Sequence, residues 1–536
     1  MVKNLNQRIF FNDSNGGVVM KMTKLSLTAL LLLVFGFTGR PVFADGLMAG
    51  VSVVNITPPK GFKHSAIGIG GGIDVNFGVH DSTYARILAL TDGTERMTII
   101  TLDLLGFFPD RVKSLLPQEL QNTVFCATHD HMGAATVSFT PPDFVYRTDY
   151  LTEIEDTIAA SIIETHKHLT PVTVGAATGT FDESYNKLGG GLGLYLCGQQ
   201  NPDRIRFEPV DQEVGVIRFD KQDGKPLAIL VNYASHPVIA WICTRVTAEF
   251  PGFMENYLEE AIGDGVVGFY LQGACGDIQP FDACAESYDK AREFGEKLAM
   301  TVLEINSSLQ TEEPPESELV FISDIIPLGG RNDLKYRPDT TGMTFNAELT
   351  VTIINKNIAF VSGPGEFFVD FQLDLKEKSP IDHTFFLGYA NGYYGYFQTL
   401  QAIEENWNGG YSHNLWVEIG AGEKIIEKGL YHIYDLLSIT PGVSESEPAA
   451  FSLRPNYPNP FNPQTTINYQ LHRKGMVTLS IYDVHGRQVT TMVNEMKAPG
   501  NYSVTWNSEG FASGLYFCRI ELDRSNAMTQ KMLLMK

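Results

Sequence analysis

A largely apolar run leads into two histidines in the segment Thr123-Val124-Phe125-Cys126-Ala127-Thr128-His129-Asp130-His131. Its first five residues predict a buried strand. Because residues i and i+2 of an extended chain point to the same side, His129 and His131 can converge on one site at the strand end. Histidines that are satisfied in the core or at the surface explain the same pattern equally well, so the pair alone leaves both interpretations open.

Around this segment, apolar strand-like runs alternate with amphipathic helical segments. Residues 97–103 predict a second buried strand, and apolar residues at three- and four-residue spacing predict four helices, over residues 151–166, 253–262, 287–305 and 423–436. Such alternation over so long a segment predicts a large α/β (mixed α+β) catalytic domain at residues 45–439.

Composition and charge exclude two classes of protein. With 43% hydrophobic and 19% charged residues, the 536-residue chain can bury a large core, which excludes disorder as its main state. The net charge of −22 repels phosphate backbones, so nucleic acid is not an expected partner. Of the six cysteines, Cys275 and Cys284 are close enough in sequence to suggest a local disulfide, with free buried thiols as the alternative.

The first 44 residues predict a secretory signal peptide. Lys21 and Lys24 precede an apolar run over residues 25–37, and the segment closes on the small-residue ending Val42-Phe43-Ala44. The apolar run is shorter than the roughly 18 residues that a membrane-spanning helix needs, which disfavours the alternative of a membrane anchor. We therefore expect no transmembrane segment in the mature chain.

The C-terminal residues form a separate unit in the sequence. Residues 440–450 combine Pro, Gly, Ser and Glu without apolar periodicity, which is typical of a solvated linker. Beyond them, short runs rich in β-branched and aromatic residues alternate with turns, which predicts a small all-β sandwich domain at residues 451–536. An appended carbohydrate-binding or spacer sandwich is one interpretation of this tail.

The tail also resembles the C-terminal sorting domain of type IX secretion substrates. The matching residues are 456–463, Ile481-Tyr482-Asp483 with Gly486, Gly514-Leu515-Tyr516 and Lys531-Met532-Leu533-Leu534. This resemblance implies a Gram-negative host, export through its periplasm, and the type IX secretion machinery as a partner. It also implies that the protein is secreted or held at the cell surface, with the tail removed or used for attachment.

Three further candidate ligands follow in the large domain. His236 lies just after an apolar run at residues 227–231, and the proline that follows it holds the histidine at a turn. Glu366 lies in the segment Ser362-Gly363-Pro364-Gly365-Glu366, which could alternatively be the start of a helix. A tyrosine-rich loop occupies residues 388–396. Two imidazoles, a carboxylate and a further oxygen donor suit zinc, provided that they meet in space.

The large domain resembles the catalytic domain of the neutral/alkaline, non-lysosomal ceramidase family, zinc amidohydrolases that cut the amide of N-acylsphingosine. The residues that carry the resemblance are Asn55-Ile56-Thr57-Pro58, Val79-His80-Asp81, Tyr84-Ala85-Arg86, Leu102-Asp103-Leu104-Leu105-Gly106, Ala127-Thr128-His129-Asp130-His131, Pro209-Val210-Asp211, Glu213-Val214-Gly215, 232–237, 273–280, Pro364-Gly365-Glu366 and Asn391-Gly392-Tyr393. The resemblance implies four Zn²⁺ ligands, His129, His236, Glu366 and Tyr396. It also implies that His131 and Tyr411 line the site as polarising or substrate-holding groups.

Two departures from the family pattern bear on the substrate. Gln279 stands where the family has a serine with a nucleophile-like role, and a glutamine amide cannot attack a carbonyl. Asn186-Lys187 stands where the family has Asn-Arg, so a point charge replaces a fork of donors. Asp277 is a candidate general base or holding carboxylate, although an aspartate in a glycine-rich turn is commonly structural.

Together with the resemblance, these observations predict a secreted, zinc-dependent amidohydrolase that uses metal-activated water on ceramide-like N-acyl lipids. They therefore also predict a role in sphingolipid metabolism. Two alternatives remain. One is a hydrolase of a different ester, lactone or amide, and the other is a non-catalytic, metal-containing surface protein that binds a glycan or lipid.

Overall fold

The computed structural model divides into two units, Met1–Ile439 and Thr440–Lys536. In the first unit it describes residues 46–62, 77–140, 143–188, 201–241, 243–312, 318–331, 340–404 and 416–437. In the second unit it describes residues 451–453, 456, 458–459, 461–471, 473–483, 487–522 and 526–534. The predicted signal peptide, the predicted linker and Tyr411 lie outside the described residues.

The described strands of the first unit are β1 (Met48–Asn55), β2 (Tyr84–Thr91), β3 (Arg96–Leu102), β4 (Thr123–Ala127), β5 (Val137–Thr140), β6 (Asp143–Val145), β7 (Thr170–Thr180), β8 (Ser184–Asn186), β9 (Glu213–Lys221), β10 (Pro226–Tyr233), β11 (Val267–Gln272), β12 (Ile278–Pro280), β13 (Leu319–Gly329), β14 (Thr344–Ile354), β15 (Ile358–Ser362), β16 (Glu366–Phe367), β17 (His383–Leu387) and β18 (Tyr396–Phe397). Its described α-helices are α1 (Asp110–Leu115), α2 (Asp149–Thr165), α3 (Glu249–Ile262), α4 (Tyr288–Ser308), α5 (Val369–Lys378), α6 (Leu400–Glu404) and α7 (Ala421–Leu436).

Two sheets organise the first unit. The larger sheet has eight strands in the order β11-β10-β9-β7-β1-β2-β3-β4, and the smaller has four in the order β13-β14-β15-β17. Most neighbouring strands are antiparallel, but β3 and β4, β10 and β11, and β15 and β17 pair in parallel. Each parallel pair directs two strand ends to the same edge, which is where side chains from distant parts of the chain can meet.

The two sheets pack face to face between two layers of helices. Phe219 and Leu230 of the larger sheet share a buried cluster with Phe360 and Phe385 of the smaller one. The opposite face of the larger sheet is covered by α2, α3 and α4, and that of the smaller sheet by α5 and α7. Successive residues of β15 point to opposite faces of the smaller sheet, so Phe360 faces the larger sheet and its neighbour Val361 faces the helices. The mixed α/β class predicted from the sequence is confirmed.

The helix starts differ slightly from the predicted ones for local reasons. Thr148 caps α2, because its side chain accepts a hydrogen bond from the backbone N–H of Leu151 at 3.0 Å, so the helix begins at Asp149. Helix α3 begins at Glu249, before Pro251 and Gly252, residues that obscure helical periodicity in the sequence. A proline is tolerated there because the first backbone N–H groups of a helix have no intrahelical acceptor.

The local disulfide suggested by the sequence does not form. Cys275 is a free, buried cysteine, and the hydroxyl of Tyr389 lies 3.0 Å from its Sγ. Cys284 is disulfide-bonded, but not to Cys275. The alternative of a small buried hydrophobe therefore applies to Cys275.

The second unit contains two antiparallel sheets. Its described strands are β19 (Phe451–Leu453), β20 (Gln464–Leu471), β21 (Gly475–Asp483), β22 (Gln488–Lys497), β23 (Gly500–Asn507), β24 (Gly514–Leu522) and β25 (Asn526–Leu534). They are ordered β19-β20-β23 and β22-β21-β24-β25. Ile467 and Trp506 from the first sheet and Leu479 and Ile520 from the second share one core, as a sandwich requires. The predicted all-β sandwich is confirmed.

Candidate metal centre

Strand ends from both sheets meet at one edge of the first unit. The segment after β17 lies between the ends of β4 and β11, because Ala127 donates its N–H to the carbonyl of Tyr389 at 3.2 Å, and Gly388 donates to the carbonyl of Gln272 at 2.9 Å. The loops after β4, β10 and β15 carry three of the predicted ligands to this edge. The sequence separates those loops widely, but the strand pairing brings them together.

Three of the four predicted ligands lie in direct contact. Nε2 of His129 is 3.1 Å from Nε2 of His236. Oε2 of Glu366 is 3.4 Å from the first nitrogen and 3.2 Å from the second. All three side chains are buried. This places two ring nitrogens and one carboxylate oxygen around a common point.

Backbone carbonyls fix the protonation of the two imidazoles. Nδ1 of His129 lies 2.9 Å from the carbonyl oxygen of Leu105, and Nδ1 of His236 lies 2.6 Å from that of Cys275. A carbonyl can only accept, so each Nδ1 carries a proton, and the Nε2 atoms of the two rings are left facing each other. Burial, above all, lowers the pKa of His236 to about 3, which keeps this ring neutral. Two ring nitrogens facing each other at such a distance need a proton or a metal cation between them.

Glu366 completes a donor set suited to a metal. Within the described residues its Oε2 atom has no hydrogen-bond donor, while Oε1 accepts a hydrogen bond from the hydroxyl of Tyr393. Burial alone would raise the pKa of Glu366, but contacts with His129 and His236 outweigh it and hold the pKa well below its usual range. An ionised carboxylate with one oxygen held and the other close to two imidazole Nε2 atoms fits a bound cation.

The nearby His131 reaches the same point by a different route from the predicted one. Its Nε2 lies 3.2 Å from Nε2 of His129, and His129, His131 and His236 form a cluster whose ligand atoms lie within 4.8 Å of one another. The chain is not extended here, because His129 has a φ of 66° and the strand ends at Ala127. A left-handed residue, not strand alternation, brings the two rings together. The three histidines could hold a metal ion.

Tyr396 is tied to Glu366 through the backbone. The short strands β16 and β18 pair in parallel, with Glu366 opposite Tyr396. The interpretation of Glu366 as a helix start is wrong, because helix α5 begins only at Val369. Gly365 permits this close pairing, since a Cβ atom at its position would lie 2.4 Å from the carbonyl oxygen of Gly395. The phenol ring of Tyr396 lies beneath the Lys187 ammonium, 5.5 Å from the ring centroid.

Solved structures give the fold a name. The chain superposes on the crystal structure of neutral ceramidase from Pseudomonas aeruginosa with a TM-score of 0.60 and 14% sequence identity, covering 92% of this chain and 99% of that one. This chain has the neutral ceramidase fold. A second structure, a ceramidase complexed with C2, gives a TM-score of 0.58 at 13% identity, with 91% and 99% of the two chains covered. The resemblance inferred from the sequence is confirmed at the level of the fold.

Sequence comparisons identify the tail. Residues 456–535 match the family described as the secretion system C-terminal sorting domain, which confirms that part of the predicted resemblance. No curated protein sequence matches the chain. Among the described residues, no helix combines the length and apolar character that crossing a bilayer requires.

Lys187 lies fully buried beside the candidate metal centre of this ceramidase fold. Burial lowers the pKa of its ammonium to about 8, a shift that the negative charges of Glu366 and Asp277 oppose. The Lys187 ammonium lies over the Tyr396 ring. The lysine of the Asn186-Lys187 pair therefore brings a positive charge close to the predicted ligands.

Asp277 holds structural elements in place. Its Oδ1 accepts the N–H of Val369, the first residue of α5, at 2.8 Å, and its Oδ2 accepts from the side-chain amide of Asn186 at 2.7 Å. Burial raises the pKa of Asp277 to about 7. Because both oxygens accept hydrogen bonds from fixed donors, the geometry favours the holding role over that of a general base.

Gln279 is buried next to the segment that supports His236. It lies in β12, which pairs with β8, and the carbonyl of the preceding Ile278 is 3.2 Å from Nδ1 of His236. The Gln279 side-chain oxygen accepts from the hydroxyl of Tyr185 at 3.4 Å. The residue that replaces the family serine is thus part of a short strand pair.

Two tyrosines at the centre were not identified individually from the sequence. Tyr393 donates to Glu366, and Tyr389 stacks on the ring of His129 with centroids 4.0 Å apart. Both belong to the tyrosine-rich loop, which was the available signal. The loop contains four tyrosines, so spacing alone could not distinguish these two from Tyr396. The directions of the tyrosine side chains depend on the left-handed backbone at Tyr389 and Asn391.

Proposed function

We propose that the first unit is a zinc-dependent hydrolase that cleaves the amide of ceramide-like N-acyl lipids and takes part in sphingolipid metabolism. The observation that carries the proposal is the convergence of His129, His236 and Glu366, with inter-ligand distances of 3.1 to 3.4 Å, in a neutral ceramidase fold.

The donor set favours zinc over calcium and magnesium. Imidazole and carboxylate donors in a small ligand set are typical of catalytic zinc sites, whereas calcium and magnesium prefer oxygen donors. His129, His236 and Glu366 would hold the ion, with Tyr396 as the fourth ligand on the strand that pairs with Glu366. A zinc ion at this position would polarise the substrate carbonyl and lower the pKa of water.

The other side chains bind and orient. Tyr393 keeps one oxygen of Glu366 occupied, which directs the other towards the histidines. Burial, reinforced by the neighbouring histidines, keeps the pKa of His131 well below its usual range, so that its ring is neutral and can hydrogen-bond an oxyanion through N–H. We assign Tyr411 the same substrate-holding role from the family resemblance, and it lies outside the described residues. Gln279 offers a hydrogen bond for positioning but no nucleophile.

Metal analysis combined with a substrate screen tests this proposal. The full chain is purified with its tail, its metal content is measured by inductively coupled plasma mass spectrometry, and hydrolysis of N-acylsphingosine is measured before and after chelation. We expect one zinc per chain and activity that chelation removes and zinc restores. As a matched control, His168→Ala alters an exposed histidine that contacts Glu164, and it should leave both readouts unchanged.

Gln279 keeps two alternatives open. Because the family serine is absent, the enzyme could act on another amide, ester or lactone, and a panel of such substrates with zinc bound tests this directly. Stoichiometric zinc with no turnover on any substrate would favour a non-catalytic binding protein. Absence of a bound metal in the folded protein would contradict the catalytic proposal itself.

We also propose that the protein crosses the periplasm and is secreted or surface-held through the type IX machinery. Residues 456–535, which match the sorting domain, support this proposal. In the source bacterium, deletion of these residues should leave the protein inside the outer membrane. Normal release of the deleted form would contradict it.

A further inference from the structure

A second cavity opens on the smaller sheet of the first unit. It encloses about 530 Å³ between the loop before α1, the first half of β14 and the loop after β17. This volume lies within the range of roughly 300–1,000 Å³ that is typical of small-molecule sites. The residues that line it do not include the predicted metal ligands. The cavity is therefore separate from the candidate metal centre.

Three aromatic rings form one part of the cavity wall. The ring of Tyr394 packs edge-to-face with Phe108 on one side and with Phe345 on the other, at centroid distances of 5.5 and 5.4 Å. The interplanar angles are 64° and 69°. Aromatic rings in a cavity wall can attract a cation.

Among the described residues of the wall, the charged side chains carry a net negative charge. Two carboxylates, Asp110 and Glu348, and one ammonium, Lys113, line the cavity. The ammonium is committed to Glu348, with Nζ 2.5 and 2.6 Å from its two oxygens. Asp110 therefore leaves one negative charge in excess. Burial, with Asp110 and Glu348 adding to it, raises the pKa of Tyr394 to about 12, as expected for a hydroxyl in a negative potential.

A buried amide adds a hydrogen-bond donor. Asn391 lines the cavity and is 6% exposed. Its Oδ1 accepts the N–H of Phe125 at 2.9 Å, but its Nδ2 has no partner in the described part of the chain. A buried donor without an acceptor is costly, so a ligand oxygen at this position would relieve an existing penalty.

We propose that this cavity binds an organic ammonium ion that carries an oxygen acceptor, such as the amino-alcohol or choline-like head of an amphiphile. The ammonium group lies among the Phe108, Phe345 and Tyr394 rings, the excess charge of Asp110 attracts it, and the ligand oxygen accepts from Nδ2 of Asn391. A free carboxylate is disfavoured by Asp110. This site goes beyond the proposed hydrolase function and does not depend on it.

Calorimetric titration of the full chain with choline tests the proposal. The comparison ligand is 3,3-dimethylbutan-1-ol, which has the shape of choline but no charge. We expect choline to bind at least about 10-fold more tightly than this isostere, because only a cation is attracted to the ring faces. Equal affinities, or no binding of choline, would overturn the proposal and leave an ordinary apolar cavity.

Variants locate the binding. Tyr394→Leu and Phe345→Leu should each weaken choline binding about 10-fold, with thermal melting used to confirm folding. Tyr431 is exposed, and its ring lies beneath the Lys428 ammonium on α7. Tyr431→Leu is the matched control and should bind choline as the parent protein does. Asp110→Asn alters an exposed side chain, so folding is not at risk, and it should weaken choline binding without affecting the isostere. Unchanged choline affinity in folded Tyr394→Leu or in Asp110→Asn would refute the assignment.

Discussion

Replacing Tyr393 by phenylalanine removes one hydroxyl from the candidate metal centre and keeps the ring. The ring is 1% exposed and packs closely on Gly106, where a Cβ atom would lie 2.8 Å from the Cβ of Tyr393. The packing of the ring is therefore preserved in the variant. What is lost is the hydrogen bond to Oε1 of Glu366, which fixes the direction of that carboxylate.

The size of the effect follows from the charge on the acceptor. A hydrogen bond to a charged group contributes about 1.5–3 kcal/mol, and 1.4 kcal/mol corresponds to a tenfold change in an equilibrium constant. We therefore expect zinc to bind roughly 10- to 100-fold more weakly to Tyr393→Phe, in line with the general effect of losing a partner of a metal ligand.

Competition with a chromophoric zinc chelator measures this affinity. Tyr394→Phe is the matched control, because it removes the neighbouring hydroxyl, which donates to the backbone carbonyl of Asn346 at 3.3 Å, and it should keep the zinc affinity of the parent. A folded Tyr393→Phe protein with unchanged zinc affinity would refute the claim that this hydroxyl positions a metal ligand.

Four other changes test separate parts of the structure. His129→Ala should lose both bound metal and turnover, and full metal content by mass spectrometry would show that the ligand assignment is wrong. Gln279→Ala should lower kcat roughly 10- to 1,000-fold without abolishing it, because a positioning hydrogen bond is lost and no nucleophile is; a trapped acyl-enzyme on residues 276–280 would contradict this. Burial lowers the pKa of His166 to about 4. Between pH 6.5 and pH 4 the unfolded chain therefore binds a proton at this histidine and the folded chain does not. The folded protein should lose roughly 2–3 kcal/mol of stability as the pH falls through this range. Denaturant titrations of the parent and His166→Gln at pH 7.5 and 5.0 measure that slope, which should be smaller in the variant. Truncation after Leu437 should leave folding and kcat of the first unit intact, and a folded but inactive product would assign the tail a part in catalysis.

Much of the fold could be predicted because local patterns decide it. The strand Thr123–Ala127 was predicted at its exact bounds, since an apolar run of that length flanked by polar residues has few other uses. The turn chemistry and alternation of the tail likewise predicted a sandwich. The packing of the two large sheets was beyond prediction, because β15 and β17 are buried on both faces and their patterns resemble any apolar run.

The candidate site could be predicted in composition but not in geometry. His129 and His236 each follow a predicted strand and Glu366 lies in a segment rich in Gly and Pro, which suggested ligands for a metal but not that the three residues meet. The route by which His131 joins them depends on the left-handed backbone of His129, a conformation that is uncommon for residues other than glycine and that the sequence does not indicate here. The contacts of Lys187 and Tyr393 depend on the pairing of β16 with β18, two strands too short to predict.

The wide separation of the proposed metal ligands along the chain has a consequence for the order of folding. His129 and His236 are 107 residues apart, and Glu366 joins them from the other sheet. An unfolded chain meets a large entropic cost in closing such loops, so tight metal capture has to wait until both sheets have docked. Time-resolved zinc uptake should therefore follow the last folding step. The metal acquired is then set by the compartment in which the chain finishes folding, and not by the one in which it is synthesised.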